Sequence, residues 1–372
     1  MALLVRSILF ALASILAFDG GRAAAEGYAR LEDADQVGGG VAYGGLDYGT
    51  ALDSSPLRAM FHRSTDRAAD IFSAVAPASR LVWSFDYRVR SMFSSSTAYE
   101  FGTPEYWPNA YAPISRLDFS LDSTWHGLRV GVGEPEWRMH VEWLTPMSRK
   151  IHGVMADYDW NINEPRDDPS RLDLLTHSSL RWNDGQMLEW EAAYRWTDSL
   201  FARPLELWPL LGFRFQRFNM TAYGIDSLVP PTGPDPDVVG VPVIDFNQQY
   251  YVGYAGAQLR SKWFVGRMPV DFVFQGDLGP AAGYNVDHHL LREGNRYTME
   301  RTSGLAWHLS LGVEAALTTR FVAGLQADYV AMRTTGTHRW VNEPFGTDMT
   351  WRNGVLVTSH QTSLTVYLRA CF

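Results

Sequence analysis

The sequence predicts an all-β fold: a transmembrane antiparallel β-barrel of ten strands with long extracellular loops. Three observations carry that expectation. The chain alternates apolar and polar residues up to Phe372. Residues 1–25 read as a secretory signal peptide. Between the two, short alternating runs recur, and no later run approaches the roughly 18 apolar residues of a membrane-spanning helix.

At the C-terminus, Leu364, Val366, Leu368, Ala370 and Phe372 form one apolar face. Ser363, Thr365, Tyr367, Arg369 and Cys371 form the other, mostly polar one. A period of two is the pattern of a strand with one greasy and one wet side. A chain end normally frays, and a strand that closes a barrel is held on both edges. The terminal aromatic resembles the signal that marks bacterial outer-membrane proteins for barrel assembly.

At the N-terminus, Arg6 supplies the positive charge, residues 8–18 the apolar run, and Ala23-Ala24-Ala25 a small-residue cleavage site. Residues 26–79 are rich in Gly, Ala, Ser and Asp, with little alternation. They read as a poorly ordered extension before a barrel over residues 80–372.

Composition agrees. Only 20% of residues are charged, while 14 Trp and 17 Tyr suit aromatic girdles at two membrane interfaces. A secreted β-sandwich has similar composition, so this point alone does not decide. A net charge of −9 argues against nucleic acid as partner. The single cysteine, Cys371, rules out an internal disulfide and has no His or Asp beside it in sequence.

The strands follow in order from about residue 80. Leu81, Trp83, Phe85, Tyr87 and Val89 alternate with Ser84, Asp86, Arg88 and Arg90. Similar patterns recur at 116–122, 137–143, 213–215, 270–275, 305–314 and 321–329. Short turns are expected near 134–136, 261–263 and 318–320. Long polar loops are expected near 101–114, 160–177, 223–247, 290–303 and 341–353. Short turns on one rim and long loops on the other are how such barrels are built. Five long loops imply ten strands, and eight or twelve fit within the same boundaries.

Two motifs carry chemistry: Met155-Ala156-Asp157-Tyr158-Asp159-Trp160 and Asn285-Val286-Asp287-His288-His289. In a strand, Asp157 and Asp159 share a face, as do Asp287 and His289. Asp157 lies 20 residues beyond Trp137, and Asp287 lies 23 beyond Phe264. At about 3.3 Å per residue and about 45° tilt, both rise roughly 45–55 Å from the short-turn rim. An apolar band is only about 25 Å tall, so both motifs belong above it. Asp287 and His289 continue the inward parity of Asp271, Gln275 and Asp277 unless Pro280 breaks it. Asp157 and Asp159 need a bulge near Pro146 to face inward.

Three carboxylates and an imidazole at one level suit peptide hydrolysis by activated water. A carboxylate orients the imidazole, the imidazole takes a proton from water, and a carboxylate pair holds that water. The alternative is a solvated acidic rim with a chance histidine. A metal site is rejected, because His288 and His289 point to opposite faces. No phosphate-binding loop, dinucleotide fingerprint or serine-nucleophile elbow appears.

These residues resemble the omptin family of outer-membrane proteases. The family's Asp-x-Asp-Trp motif after the third strand is matched by Asp157-Tyr158-Asp159-Trp160. Its Asp-x-His motif after the seventh is matched by Asp287-His288-His289. Ser115-Arg116-Leu117-Asp118-Phe119 resembles the start of its second strand. The likeness spans residues 80–372 and is thin between motifs. It implies that Asp287 orients His289, that His289 is the base, and that Asp157 and Asp159 hold the water. It implies substrate contacts from Glu100, on the parity of Asp86 and Arg88, from Met155, and from Asn285. Asn285 stands where the family has a carboxylate, which weakens attraction for a basic guest. It further implies a monomer without cofactor in the outer membrane, a peptide or protein substrate, and lipopolysaccharide as activator. Tyr99-Glu100-Phe101-Gly102 also resembles omptin-related barrels without established proteolysis. A non-enzymatic barrel (an adhesin, structural protein or narrow pore) is therefore the second reading.

Overall fold

The computed structural model describes residues 81–102, 114–163, 168, 170–200, 204–292, 294 and 296–372. The expected signal peptide and the 26–79 extension lie outside these residues.

Thirteen strands follow in order: β1 (Val82–Phe101), β2 (Ser115–Ser120), β3 (Thr124–Gly133), β4 (Trp137–Pro146), β5 (Lys150–Trp160), β6 (Leu172–Tyr194), β7 (Leu205–Val229), β8 (Gly233–Pro234), β9 (Pro242–Val265), β10 (Met268–His289), β11 (Arg296–Ala316), β12 (Phe321–Asn342) and β13 (Thr347–Cys371). Apart from two short 3-10 turns, all regular structure among the described residues is β, and no helix there is long and apolar enough to cross a membrane.

The pairing is antiparallel and runs in a ring. β1 pairs with β3 along its first half and β2 along its second. β3 pairs with β4, β2 with β5, and β6 with both β4 and β5. The ladder continues through β7, β9, β10, β11, β12 and β13. It returns to β1 from Ser84↔Cys371 to Phe101↔Val355. β2 and β3 are halves of one interrupted span, as are β4 and β5. With these joined and the two-residue β8 set aside, ten long spans remain.

Alternation explains the two surfaces. Trp83, Phe85, Tyr87, Trp143, Leu211, Leu278, Leu305, Trp307 and Val366 point outward and form an exposed apolar band. Asp86, Arg88, Glu142, Arg214, Asp277 and Asp328, on the opposite parity, are buried in the lumen. Buried charges need partners. Arg90 and Arg129 donate to Glu142 at 2.7 and 3.0 Å, and Arg88 stands 2.7 Å from it. Arg214 grips Asp277 at 2.7 and 2.9 Å, and His308 bridges Asp277 and Asp328 at 2.8 and 3.0 Å.

Above this charged half the lumen is apolar. Trp125 and Trp182 meet edge-on at 5.3 Å, and Phe119 stacks on Phe246. Leu121, Leu144, Met155, Phe218 and Met220 fill the same cluster. This layer is the floor of the candidate site.

Several strands outlast their alternation. The expected loops at 160–177, 223–247, 290–303 and 341–353 are shortened, because β6 starts at Leu172, β7 runs to Val229, β11 starts at Arg296 and β13 at Thr347. Above the apolar band the outward positions face water, so polar residues occupy both faces and the period of two disappears. The turn expected at 261–263 falls instead between Val265 and Met268, where Gly266 adopts φ 66°.

Candidate active site

β10 keeps a single parity through Pro280. Gln275, Asp277, Asn285 and Asp287 are all buried on the lumen side, and the β10–β9 register is the same on both sides of the proline. Asp287 and His289 therefore face inward.

The other wall is re-aimed. In β4 the even residues Glu142 and Leu144 are buried, whereas in β5 the odd residues Ile151 and Met155 are. The switch falls between Pro146 and Lys150, and the β5–β6 register shifts again between Lys150 and Val154. Gly153 sits in that shift at φ 100°, a conformation that strains any side chain. Its absent Cβ would lie 2.6 Å from Ser120 Oγ. Asp157 and Asp159 thus turn to the same interior as Asp287. Met155, one inward step below Asp157, is buried in the apolar floor.

The result is an electrostatic cluster. Asp157 feels Asp159, Asp287 feels Asp157, and the guanidinium of Arg292 acts on all three and on His289. Burial and the neighbouring Asp159 push the Asp157 carboxyl up to about 7. Burial also raises Asp159, against a hydroxyl bond from Ser115, its direct cross-strand partner. Asp287 is raised well above the carboxylate range by burial, by Glu300 and by Asp157. Burial, Arg292 and His288 lower His289 to about 4. At neutral pH this imidazole is uncharged.

Asp287 is only 1% exposed, yet neither carboxyl oxygen has a hydrogen-bond partner among the described residues. His289 Nε2 stands 3.7 Å from its Oδ1, beyond a hydrogen bond.

Glu100 is not where the expected parity puts it. A bulge at Ser94-Ser95, with Ser94 at φ 50°, flips β1, so Thr97 and Tyr99 are buried and Glu100 turns to the outer wall. There it pairs with Arg116 at 3.5 Å. Asn285 is inward and buried, and its Nδ2 donates to Glu300 Oε2 at 2.6 Å.

Glu300, His338 and Arg292 were not anticipated. Glu300 fell in an expected loop, and His338 has no motif around it. Their signal is cross-strand register, Asn285↔Glu300 and Glu300↔His338, which requires the pairing to be known.

No protein-family model and no curated protein sequence matches this chain. Solved structures do. The outer membrane protease OmpT from Escherichia coli superposes with a TM-score of 0.64 at 13% identity, covering 81% of this chain and 99% of that one. The fold is that of an outer-membrane β-barrel. The translocator domain of the autotransporter NalP from Neisseria meningitidis aligns at 0.29 and 9% identity, over 83% of this chain and 96% of its own. The AIDA-I transport unit from Escherichia coli aligns at 0.31 and 8%, over 86% and 100%. Scores that low add nothing to the argument.

Proposed function

We propose that this chain is an outer-membrane endopeptidase that hydrolyses peptide bonds with water activated by His289, in a groove on the extracellular side. The observation that carries the reading is the meeting of Asp157, Asp159, Asp287 and His289 above a closed apolar floor. Those residues come from motifs more than a hundred positions apart in the chain.

The chemistry follows from the groups present. A water held by the Asp157–Asp159 pair loses a proton to the neutral imidazole of His289 as its oxygen attacks the peptide carbonyl. Two close carboxyls cannot both ionise cheaply, so near neutral pH the pair shares a proton and can both donate and accept. The C–N bond then breaks, and the imidazolium returns its proton to the leaving amine. Ionised Asp287 stabilises the imidazolium while it lasts.

The packed layer of Trp125, Trp182, Phe218 and their neighbours speaks against the narrow-pore alternative, since it fills the lumen beneath the site. The test is proteolysis. Barrel refolded with lipopolysaccharide is incubated with a peptide library, and products are read by mass spectrometry. Cleavage is expected, with a loss of about 10²–10⁴-fold in His289→Ala. Unchanged cleavage in that variant removes the base from the mechanism.

A further inference from the structure

A second set of buried polar groups lies beside Asp287 on β10, β11 and β12. Glu300 is completely buried. Asn285 Nδ2 donates to its Oε2 at 2.6 Å, and His338 Nδ1 lies 2.7 Å from its Oε1. The His338 ring is held between Phe101, at 4.7 Å, and Trp351, at 5.7 Å. Both oxygens of Glu300 are thus engaged by groups fixed on neighbouring strands.

Asp287 has the opposite surroundings. It lies one inward step along β10 from Asn285, with Thr298 and Phe246 as direct cross-strand neighbours. Among the described residues no donor reaches either of its oxygens. The charged and titratable groups acting on it are Glu300 from β11, Asp157 from β5, His289 from its own strand and Arg292 from the turn beyond. Two buried carboxyls this close do not both carry charge cheaply. Glu300 has a partner on each oxygen, whereas Asp287 has none among the described residues, so burial and its acidic neighbours favour the protonated form of Asp287.

We infer that Glu300, clamped by Asn285 and His338, is a positioning residue that keeps a proton on Asp287 at neutral pH and holds His289 in an unproductive tautomer until that proton leaves. The inference rests on the proposed hydrolytic reading. Closing the 3.7 Å gap by about 1 Å or less lets a protonated Asp287 offer its O–H to His289 Nε2, which places the ring N–H on Nδ1. Ionised Asp287 accepts from Nε2–H instead, and Nδ1 is freed to take a proton from water. Loss of one proton from Asp287 thus converts the resting site to the active one, and Glu300 sets the pH at which this happens. Arg292, a cation acting on Asp287, opposes Glu300 by favouring the ionised form.

Two measurements test this. Glu300→Gln keeps the shape and removes the charge. The acid limb of its kcat–pH profile is expected to move down by about one unit or more, with KM unchanged. An unmoved limb overturns the inference. The second readout does not depend on proteolysis: infrared difference spectra of wild type minus Asp287→Asn isolate the C=O stretch of the protonated Asp287 carboxyl. That band is expected at pH 7 in the wild type and is expected to weaken in Glu300→Gln. If Glu300→Gln does not fold, the pH titration of the wild-type band decides. A midpoint near or above about 7 supports the inference, and one below about 5 overturns it. If no peptide is cleaved, the hydrolytic reading fails, and the infrared band still reports where the proton sits.

Discussion

Asp157→Asn is expected to make the barrel more stable at high pH and no more stable at low pH. In the unfolded chain an aspartate titrates near 3.8, whereas in the folded groove Asp157 titrates at about 7. Between those values the folded state holds a proton that the unfolded state has released, so stability falls as pH rises through the window. The shift is about three units, or about 4 kcal/mol at most. Sharing the charge with Asp159, and the need of a new amide for partners, bring the expected gain at pH 8 to about 2–4 kcal/mol. At pH 3.5 the carboxyl is mostly protonated in both states, and the gain nearly vanishes. Guanidinium unfolding in detergent micelles, followed by fluorescence of the 14 tryptophans, measures both limits. A gain equal at pH 3.5 and pH 8, or none at either, refutes the idea that the groove holds its aspartates against their own electrostatics.

Two further perturbations separate the barrel from the site. Glu142→Gln leaves Arg88, Arg90 and Arg129 facing a neutral amide in the buried lumen and is expected to cost about 3–5 kcal/mol in the same unfolding assay. Gly153→Val forces a branched side chain into φ 100° and against Ser120. It is expected to cost about 1–3 kcal/mol and to reduce peptide cleavage by more than the loss of folded protein accounts for, because it disturbs the β5 bulge just below Asp157.

What the sequence disclosed follows its physics. The outward band was legible because lipid-facing positions must be apolar while lumen positions need not be, which prints a period of two at Trp83–Val89 or Leu305–Val313. The inward direction of Asp287 and His289 was legible because β10 holds one parity from Gln275 to the motif. Glu100 was misplaced because Ser94-Ser95 adds a residue that no apolar pattern marks. Glu300 and His338 stayed hidden because above the band both faces of a strand are polar, and because their partnership is made across strands rather than along them.

Four of the interruptions fall on adjacent spans. β1 breaks its register between Phe93 and Ser96, the second span between Ser120 and Thr124, the third between Pro146 and Lys150, and β6 between Trp182 and Asp184. Four adjacent spans are interrupted at the level of Trp125 and Trp182, whereas β10 and β11 pair without a shift. A bulge inverts which side chains a strand presents above it without altering the membrane-facing pattern below it. The groove is therefore made of one wall inherited from the barrel's own alternation, carrying Asp287 and His289, and one wall set independently, carrying Asp157 and Asp159. That division explains how a single strand can be greasy outside and ionic inside near the short turns, and still deliver its carboxylates to the opposite motif near the long-loop end. It also explains why the histidine motif tolerates Pro280, pointing outward from an unbroken strand.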